Sequence, residues 1–242
     1  MKIRPVDHLV AAVLTADREL LERLIDRDPG LGHEGNMFGV SAIHAAHFTS
    51  RPDLVSLLRQ PDRPDAFALS VELGEFEVVE SALEADPLLA TRYDDAGSTA
   101  LHGACYWGQT RVAELLIRAG ADVSAATRDN FLQIAPLGSA VATPPGAGQP
   151  SDSEEVVLAL VQLLLSCGAD PNQVRLDGMT ALHTAAWRGL SDVARELIDA
   201  GADPAAAARS GPHQGETPAQ SALSQGHLVL AANLDPDVVG DG

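Results

Sequence analysis

The 242-residue chain has little cysteine and few aromatic residues, and both shortages exclude classes of protein. Only Cys105 and Cys167 occur, in no CxxC pair and with no His/Cys ligand spacing, so the sequence indicates neither a metal site nor a disulfide framework. Aromatic residues make up 4% of the chain, so alanine, leucine and valine must fill the core. This composition favours closely packed short helices over a β-sandwich.

Basic side chains are also scarce, with 16 against 34 acidic ones, a net charge of −18. An acidic surface repels nucleic-acid phosphates and anionic membranes, which argues against both as partners. The charge instead favours a protein partner with a basic patch and keeps copies of the chain apart, so we expect a monomer. The alternative is that the surface acids merely keep the protein monomeric.

Long apolar runs are missing as well, because the longest, residues 156–165, is interrupted by Gln162 and is too short for a bilayer. The first residues lead into Asp7 and His8 rather than an apolar stretch, so we expect no signal peptide. A reducing cytoplasm is the expected location. The frequent Ala, Gly and Pro, with arginine in place of lysine, suggest a GC-rich bacterial genome.

The chain does contain repeats. Residues 97–108 read G-S-T-A-L-H-G-A-C-Y-W-G and residues 178–189 read G-M-T-A-L-H-T-A-A-W-R-G, and the two align without a gap. Each is followed by an apolar helical pattern that ends in Gly-Ala-Asp, at Gly120 and at Gly201, and a third such ending lies at Gly168. Threonine suits the N-cap of a helix and glycine its C-terminal end, so each unit predicts a pair of short helices.

These T-A-L-H segments resemble the T-P-L-H-x-A motif of the ankyrin repeat, which has a period of about 33 residues. Weaker or degenerate repeat starts follow at Asp7, Ser41, Asp65, Ala135 and Thr217. Four of the six spacings between successive starts fall within about four residues of that period. The resemblance therefore covers almost the whole chain.

The resemblance implies an all-α, ankyrin-repeat solenoid of about seven helix-turn-helix repeats joined by β-hairpin-like loops. We expect one domain over residues 1–233, with an inserted Pro/Gly-rich loop at 143–152 and a disordered tail at 234–242. The second repeat is short because a Pro-rich segment, residues 60–65, replaces its usual ending and hairpin. The function that the resemblance implies is binding of a partner protein or peptide on the concave face and hairpin tips.

Histidine is the one residue type that suggests chemistry, since His44, His102 and His183 occupy the same repeat position. The resemblance implies a structural role there, in which the imidazole bonds to backbone and to the Thr of its repeat. No phosphate-binding loop and no nucleophile elbow occurs. We therefore predict no catalytic residue, no metal and no cofactor, and an enzyme is the less favoured interpretation.

Carried over position by position, the resemblance implies partner contacts at helix ends and hairpin tips. The helix-end residues are Phe48, Thr49, Tyr106, Trp107, Trp187 and Arg188, and the tip residues are Met37, Phe38, Asp95, Leu176 and Asp177. Exposed Trp, Tyr and Arg are enriched at binding hot spots. The alternative is that these rings pack against a neighbouring helix or the inserted loop.

A second hypothesis places a small-molecule or catalytic pocket at the shortened second repeat. Its lining would draw on His44, His47, Glu72, Cys105 and Tyr106. The motivation is that a short repeat, two residues unusual for their positions and an inserted loop occur in one chain. A third possibility, a purely architectural spacer, predicts no exposed aromatic side chain.

Overall fold

The computed structural model describes residues 5–15, 17–33, 41–49, 51–59, 66–129, 132–142 and 153–239. Within these ranges the chain forms fourteen α-helices in seven pairs and no regular β-strand, so the expected all-α fold of helix pairs is confirmed. The helices are α1 (Pro5–Thr15), α2 (Arg18–Arg27), α3 (Ala42–Phe48), α4 (Pro52–Leu58), α5 (Ala66–Glu72), α6 (Phe76–Ala85), α7 (Ala100–Tyr106), α8 (Thr110–Arg118), α9 (Pro136–Val141), α10 (Glu154–Ser166), α11 (Ala181–Arg188), α12 (Ser191–Asp199), α13 (Pro218–Ser224) and α14 (Leu228–Leu234). No helix among the described residues is both long and apolar enough to cross a membrane.

The chain divides into two compact units. The first unit comprises residues 1–66 and 146–149, and the second comprises residues 67–145 and 150–242. Helices α1 to α4 belong to the first unit, and its core contains Leu9, Leu21, Ile43 and Leu54, all fully buried. The side chain of Asp17 accepts a hydrogen bond from the Leu20 amide (3.0 Å) and so caps α2.

The second unit is a stack of helix pairs in two layers. The first helices α7, α9, α11 and α13 pack one on the next, and so do the second helices α6, α8, α10 and α12. The core between the layers includes Leu101, Leu116, Leu160, Leu182 and Leu197, each fully buried. Each pair is too small to bury its own apolar face, so stacking completes the core.

The loops that join the helix pairs of the second unit are hydrogen-bonded to one another near their tips. The Arg128 amide donates to the Gly97 carbonyl (2.8 Å), and the Leu176 amide donates to the Leu132 carbonyl (2.8 Å). The Arg209 amide donates to the carbonyl of Asp177 (2.7 Å). We call the loop residues 94–97, 128–129, 132–134, 175–178 and 209–215 the tip row. Backbone bonds thus fix the spacing of successive tips.

Glycine is required at one point of this row. Gly178 has a φ of +84°, and a Cβ added to it would lie 2.6 Å from the backbone nitrogen of Arg209. Only a residue without a side chain allows the two tips to approach this closely.

The ends of the chain and its insertion differ from the regular pattern. Helix α9 ends at Val141 and α10 begins at Glu154, and the inserted loop between them lies outside the described residues, as do residues 60–65. The expected disordered tail at 234 needs correcting at its start. Leu234 is buried at the end of α14 and a 3₁₀ turn follows at Pro236–Val239, because α13 and α14 both pack against that turn.

Candidate functional site

The histidines of the T-A-L-H segments make the same set of hydrogen bonds in both repeats. The Thr99 amide donates to His102 Nδ1 (3.2 Å), and the Thr180 amide donates to His183 Nδ1 (3.1 Å). Because Nδ1 accepts, the proton lies on Nε2, which donates to a backbone carbonyl of the next repeat. That carbonyl belongs to Ile134 for His102 (3.0 Å) and to Glu216 for His183 (3.1 Å).

Burial keeps these imidazoles neutral. It lowers the pKa of both His102 and His183, and the bonds to the carbonyls offset only part of that effect. A neutral ring with both nitrogens engaged links one repeat to the next and has no nitrogen left for a metal or a substrate. In the first unit, the Ser41 hydroxyl lies 2.7 Å from His44 Nδ1, as the Thr99 and Thr180 hydroxyls do from His102 and His183 at 2.8 Å and 2.9 Å.

The proposed pocket residues divide between the two units: His44 and His47 lie on α3, whereas Glu72, Cys105 and Tyr106 lie on α5 and α7. Cys105 is fully buried, which corrects its expected place in a pocket lining. Burial raises the pKa of its thiol far above the ordinary range, so the sulfur stays protonated and is a poor nucleophile. Cys105 therefore acts as a core residue.

Two further observations concern small ligands. Among the described residues, no group of three or more His, Cys, Asp or Glu side chains could hold a metal ion. A pocket between α9 and α11, lined by residues that include Leu137, Thr180 and Thr184, has a volume of about 10 Å³. That is roughly the room that one water molecule needs.

The two tryptophans, both expected at the surface, have different environments. Trp187 is 38% exposed at the end of α11, whereas Trp107 is 5% exposed. Trp107 is therefore not at the surface, where its repeat position had placed it, and its contact with a partner stays a prediction. Its ring lies edge-on to Tyr106, with ring centroids 5.6 Å apart.

Repeat register explains the difference. The gap-free alignment pairs Tyr106 with Trp187, and Trp107 with Arg188. Adjacent residues of a helix are rotated by about 100° from each other, so the two tryptophans occupy different faces. Arg188 is half-buried and donates from Nη1 to the Val141 carbonyl at the end of α9 (3.2 Å). In both repeats this position is thus less exposed than the one before it.

The remaining predicted contact residues are placed as follows. Tyr106 is half-buried, Thr49 and Asp95 are exposed, and Leu176 is 49% exposed. Asp177 is half-buried and pairs with Arg175. Burial alone would raise the pKa of Asp177, but bonds from Arg175 and the Met179 amide lower it, so this carboxylate supports its own loop. Met37, Phe38 and the side chain of Phe48 lie outside what the structure describes.

Sequence reasoning missed Leu132, which is 40% exposed on the tip next to that of Leu176. The spacing within the repeats could have identified it. Tip residues Asp95 and Leu176 lie four positions before Thr99 and Thr180, and each is followed by a second tip position. The same count from Ala135 gives residues 131 and 132 as tip positions. That count was not extended to the weaker repeat.

Comparison with known proteins gives a consistent assignment. A family model described as "Ankyrin repeats" matches the chain in three copies, over residues 8–127 and 154–236. The mouse "B-cell lymphoma 3 protein homolog" is 33% identical over 174 residues, which is 66% of this chain and 36% of that protein. The human "BCL-6 corepressor-like protein 1" is 34% identical over 116 residues, which is 48% of this chain and 6% of that protein. The chain thus spans only a part of these relatives.

Proposed function

The chain belongs to the ankyrin-repeat family, and from that premise we propose that it binds a partner protein through the second unit. Ankyrin repeats are protein-interaction modules. The proposed contact surface consists of the exposed ends of the first helices and the tip row. A basic patch on the partner, a monomeric chain and a cytoplasmic location are parts of the same proposal.

The observation that carries this proposal is the exposure of Trp187. A large aromatic side chain that is 38% exposed is unusual in a chain with 4% aromatic residues, and tryptophan is the type most enriched at hot spots. The ring sits on a fixed helix end, because His183 bonds to the next repeat and Gly189 closes α11 with a φ of +75°. A rigid anchor loses little entropy on binding.

The neighbouring repeats extend this surface. Tyr106 occupies the position of Trp187 on α7, and counting from Ala135 gives Ala142 that position in the repeat between them. Both residues are half-buried. The small side chain of Ala142 thus occupies the repeat position between those of the two aromatic rings.

A matched pair of variants tests the proposal. Trp187→Ala removes the anchor, and Ile198→Ala truncates a side chain of similar exposure (36%) on α12 of the same repeat. We expect quantitative capture from a lysate of the source organism to enrich a protein on wild type and on Ile198→Ala, and to lose it on Trp187→Ala. Equal capture by Trp187→Ala, with unchanged helical circular dichroism, contradicts the proposed surface.

A further inference from the structure

We propose that the stack of the second unit has one flexible junction, at which the first helix α9 moves away from α11 while the second helices α10 and α12 stay together. This motion is a property of the free chain and goes beyond the binding of a partner. Tyr106 lies on α7, before the junction, and Trp187 lies on α11, after it. Opening of the junction therefore changes the distance between the two aromatic rings.

The repeat that contains α9 lacks the side chains that link the other repeats. His102 and His183 each bond to a carbonyl of the repeat that follows them. At the positions equivalent to Thr99 and His102, the repeat of α9 has Ala135 and Gly138. Neither of these residues has a side-chain donor or acceptor. The row of imidazole links is therefore interrupted between α9 and α11.

A cavity lies where the two helices meet. The pocket of about 10 Å³ is lined by Gly138 on one side and by Thr180 and Ala181, at the start of α11, on the other. In the preceding repeat, His102 reaches across to Ile134, just before the start of α9. A Cβ added to Gly138 would lie 2.6 Å from Ile134 Cγ1, so this isoleucine covers the side of α9 from which an imidazole would project. Atoms that line a cavity lose dispersion contacts, which weakens the junction.

Helix α9 is itself weak. With six residues it is the shortest of the described helices, and Gly138 and Ser139 have low helix propensity. Pro136 suits the first turn, but Ala135 at the N-cap supplies no side-chain acceptor. Helix α9 also packs less extensively on α11 than α7 packs on α9 or α13 on α11. Short helices with few buried contacts are the parts of a fold that open most readily.

The preceding repeat and the far end of α9 are held more firmly. The Thr127 amide donates to the Ile134 carbonyl (2.9 Å), and the Ile134 amide donates to Thr127 Oγ1 (3.0 Å). At the end of α9, Arg188 Nη1 donates to the Val141 carbonyl (3.2 Å). Opening therefore begins at the cavity, near the start of α9, and turns about the Val141 end.

The second helices are bonded to each other across the same junction. Glu154 on α10 accepts from the amides of Asp192 (2.7 Å) and Val193 (3.4 Å) at the start of α12. Gln162 Nε2 on α10 donates to Glu196 Oε2 on α12 (2.8 Å). One layer is thus tied where the other has a cavity, so the motion separates the first helices and leaves the second helices in contact.

Amide hydrogen exchange of the free chain, followed residue by residue by NMR, tests the junction. The Ser139 amide donates to the Ala135 carbonyl (2.9 Å), and the Gly103 and Thr184 amides make the equivalent bonds in α7 and α11 (3.4 Å each). After correction for intrinsic rates, we expect the Ser139 amide to exchange at least about tenfold faster than the other two. Its bond is the shortest of the three, so bond length alone predicts the opposite order.

A restored repeat identifies the cause. The triple variant Ile134→Ser, Ala135→Thr, Gly138→His gives residues 134–138 the sequence S-T-P-L-H, which supplies a threonine cap and an imidazole. We expect exchange of the Ser139 amide to slow to the rate of the equivalent amides in α7 and α11. The melting temperature should rise.

The matched control creates the same defect in another repeat. Thr99→Ala with His102→Gly removes the cap and the imidazole from α7. We expect exchange of the Gly103 amide to become about tenfold faster, with the Thr184 amide unchanged.

Each outcome decides the inference. A wild-type Ser139 amide that exchanges as slowly as those of Gly103 and Thr184 overturns the flexible junction. A restored variant that folds but keeps fast exchange at Ser139 also overturns it. If that variant does not fold, the wild-type rates and the α7 variant give the answer. Exchange is measured without a partner, so the capture experiment with Trp187→Ala decides the proposed function separately.

Discussion

The two compact units differ in charge and in how their helices end. The first unit has 10 acidic and 8 basic residues, a net charge of −2, against −16 for the second. Every described glycine with a positive φ lies in the second unit, from Gly74 to Gly226. In the first unit, α3 ends at Thr49 with no such glycine. The acidic charge and the regular repeat residues therefore occur together.

This difference suggests a division of roles. Regular repeats give a rigid stack with evenly spaced tips. A rigid surface loses little entropy on binding, so charge and exposed aromatic groups on such a surface raise the affinity for a partner most. Trp107 and Trp187 both lie in the second unit, so tryptophan fluorescence reports on that unit.

The largest effect is expected for Gly178→Ala. Residue 178 has a φ of +84°, which strains any residue with a side chain, and the added Cβ would also lie 2.6 Å from the Arg209 backbone. We therefore expect the free energy of unfolding to fall by about 3 kcal/mol. Urea denaturation followed by tryptophan fluorescence measures it.

Two glycines serve as controls for that prediction. Gly201 has a φ of +95° and nothing within 4 Å of an added Cβ, so Gly201→Ala should cost only about 1–2 kcal/mol of backbone strain. Gly30 in the first unit lacks a positive φ and has one contact at 3.4 Å, so Gly30→Ala should change stability by less than about 0.5 kcal/mol when urea unfolding is followed by circular dichroism. A Gly178 variant no weaker than the Gly201 variant contradicts the close approach of the tips.

Ala104→Leu should have the next largest effect. Ala104 is fully buried on α7, and extra methylene groups in a packed helix interface cost roughly 1–3 kcal/mol. Ala46, fully buried on α3, is the equivalent site of the first unit, and Ala46→Leu should cost a similar amount. Differential scanning calorimetry gives both values, and an unchanged melting temperature for Ala104→Leu contradicts the repeat register.

Acid should weaken the second unit through its histidines. The pKa values of His102 and His183 are lowered from 6.5 in the folded chain, so the unfolded chain binds more protons once the pH falls below that value. The free energy of unfolding should therefore fall as the pH is lowered from about 7.5 to about 5.5.

Glutamine provides the matched substitution for this test. Gln220 already occupies the histidine position of the last repeat, where its Oε1 accepts from the Thr217 amide (2.9 Å). The double variant His102→Gln, His183→Gln should keep the caps, lose the bonds to the next repeat and show a flatter pH profile. If the double variant shows the same pH profile as the wild type, the acid sensitivity comes from other groups.

The smallest expected difference is between two probes of the same unfolding reaction. We propose that residues 1–233 form one solenoid that unfolds cooperatively, since repeat arrays are stabilised by nearest-neighbour contacts. Circular dichroism at 222 nm and tryptophan fluorescence should then give superimposable urea curves. Two separated transitions would instead make the two units independent domains.

The repeat pattern alone was enough to predict the helix pairs. Starts placed near Asp7 and Asp65 lie close to the first residues of α1 and α5, and the Thr/His caps were identified from T-A-L-H. A helical period specifies which residues share a face, and that information is carried by the local sequence.

Exposure was harder to predict, because it depends on what the neighbouring repeat places against a residue. Trp107 and Trp187 are one repeat position apart, and that single step decides between burial and exposure. Leu132 was missed because its repeat has Ala-Pro-Leu-Gly in place of the full motif. The end of the fold was also misjudged, since the apolar Leu234 completes α14 before the acidic tail begins.

The central claim is that a partner binds the tips and first-helix ends of the second unit. Hydrogen–deuterium exchange of the full chain, free and bound to the captured partner, tests this most directly. We expect slower exchange in peptides that contain Leu132 and in residues 175–189, with no change in α1 to α4. Slowing confined to the outer helices α8 and α12, or to α1 to α4, would contradict it.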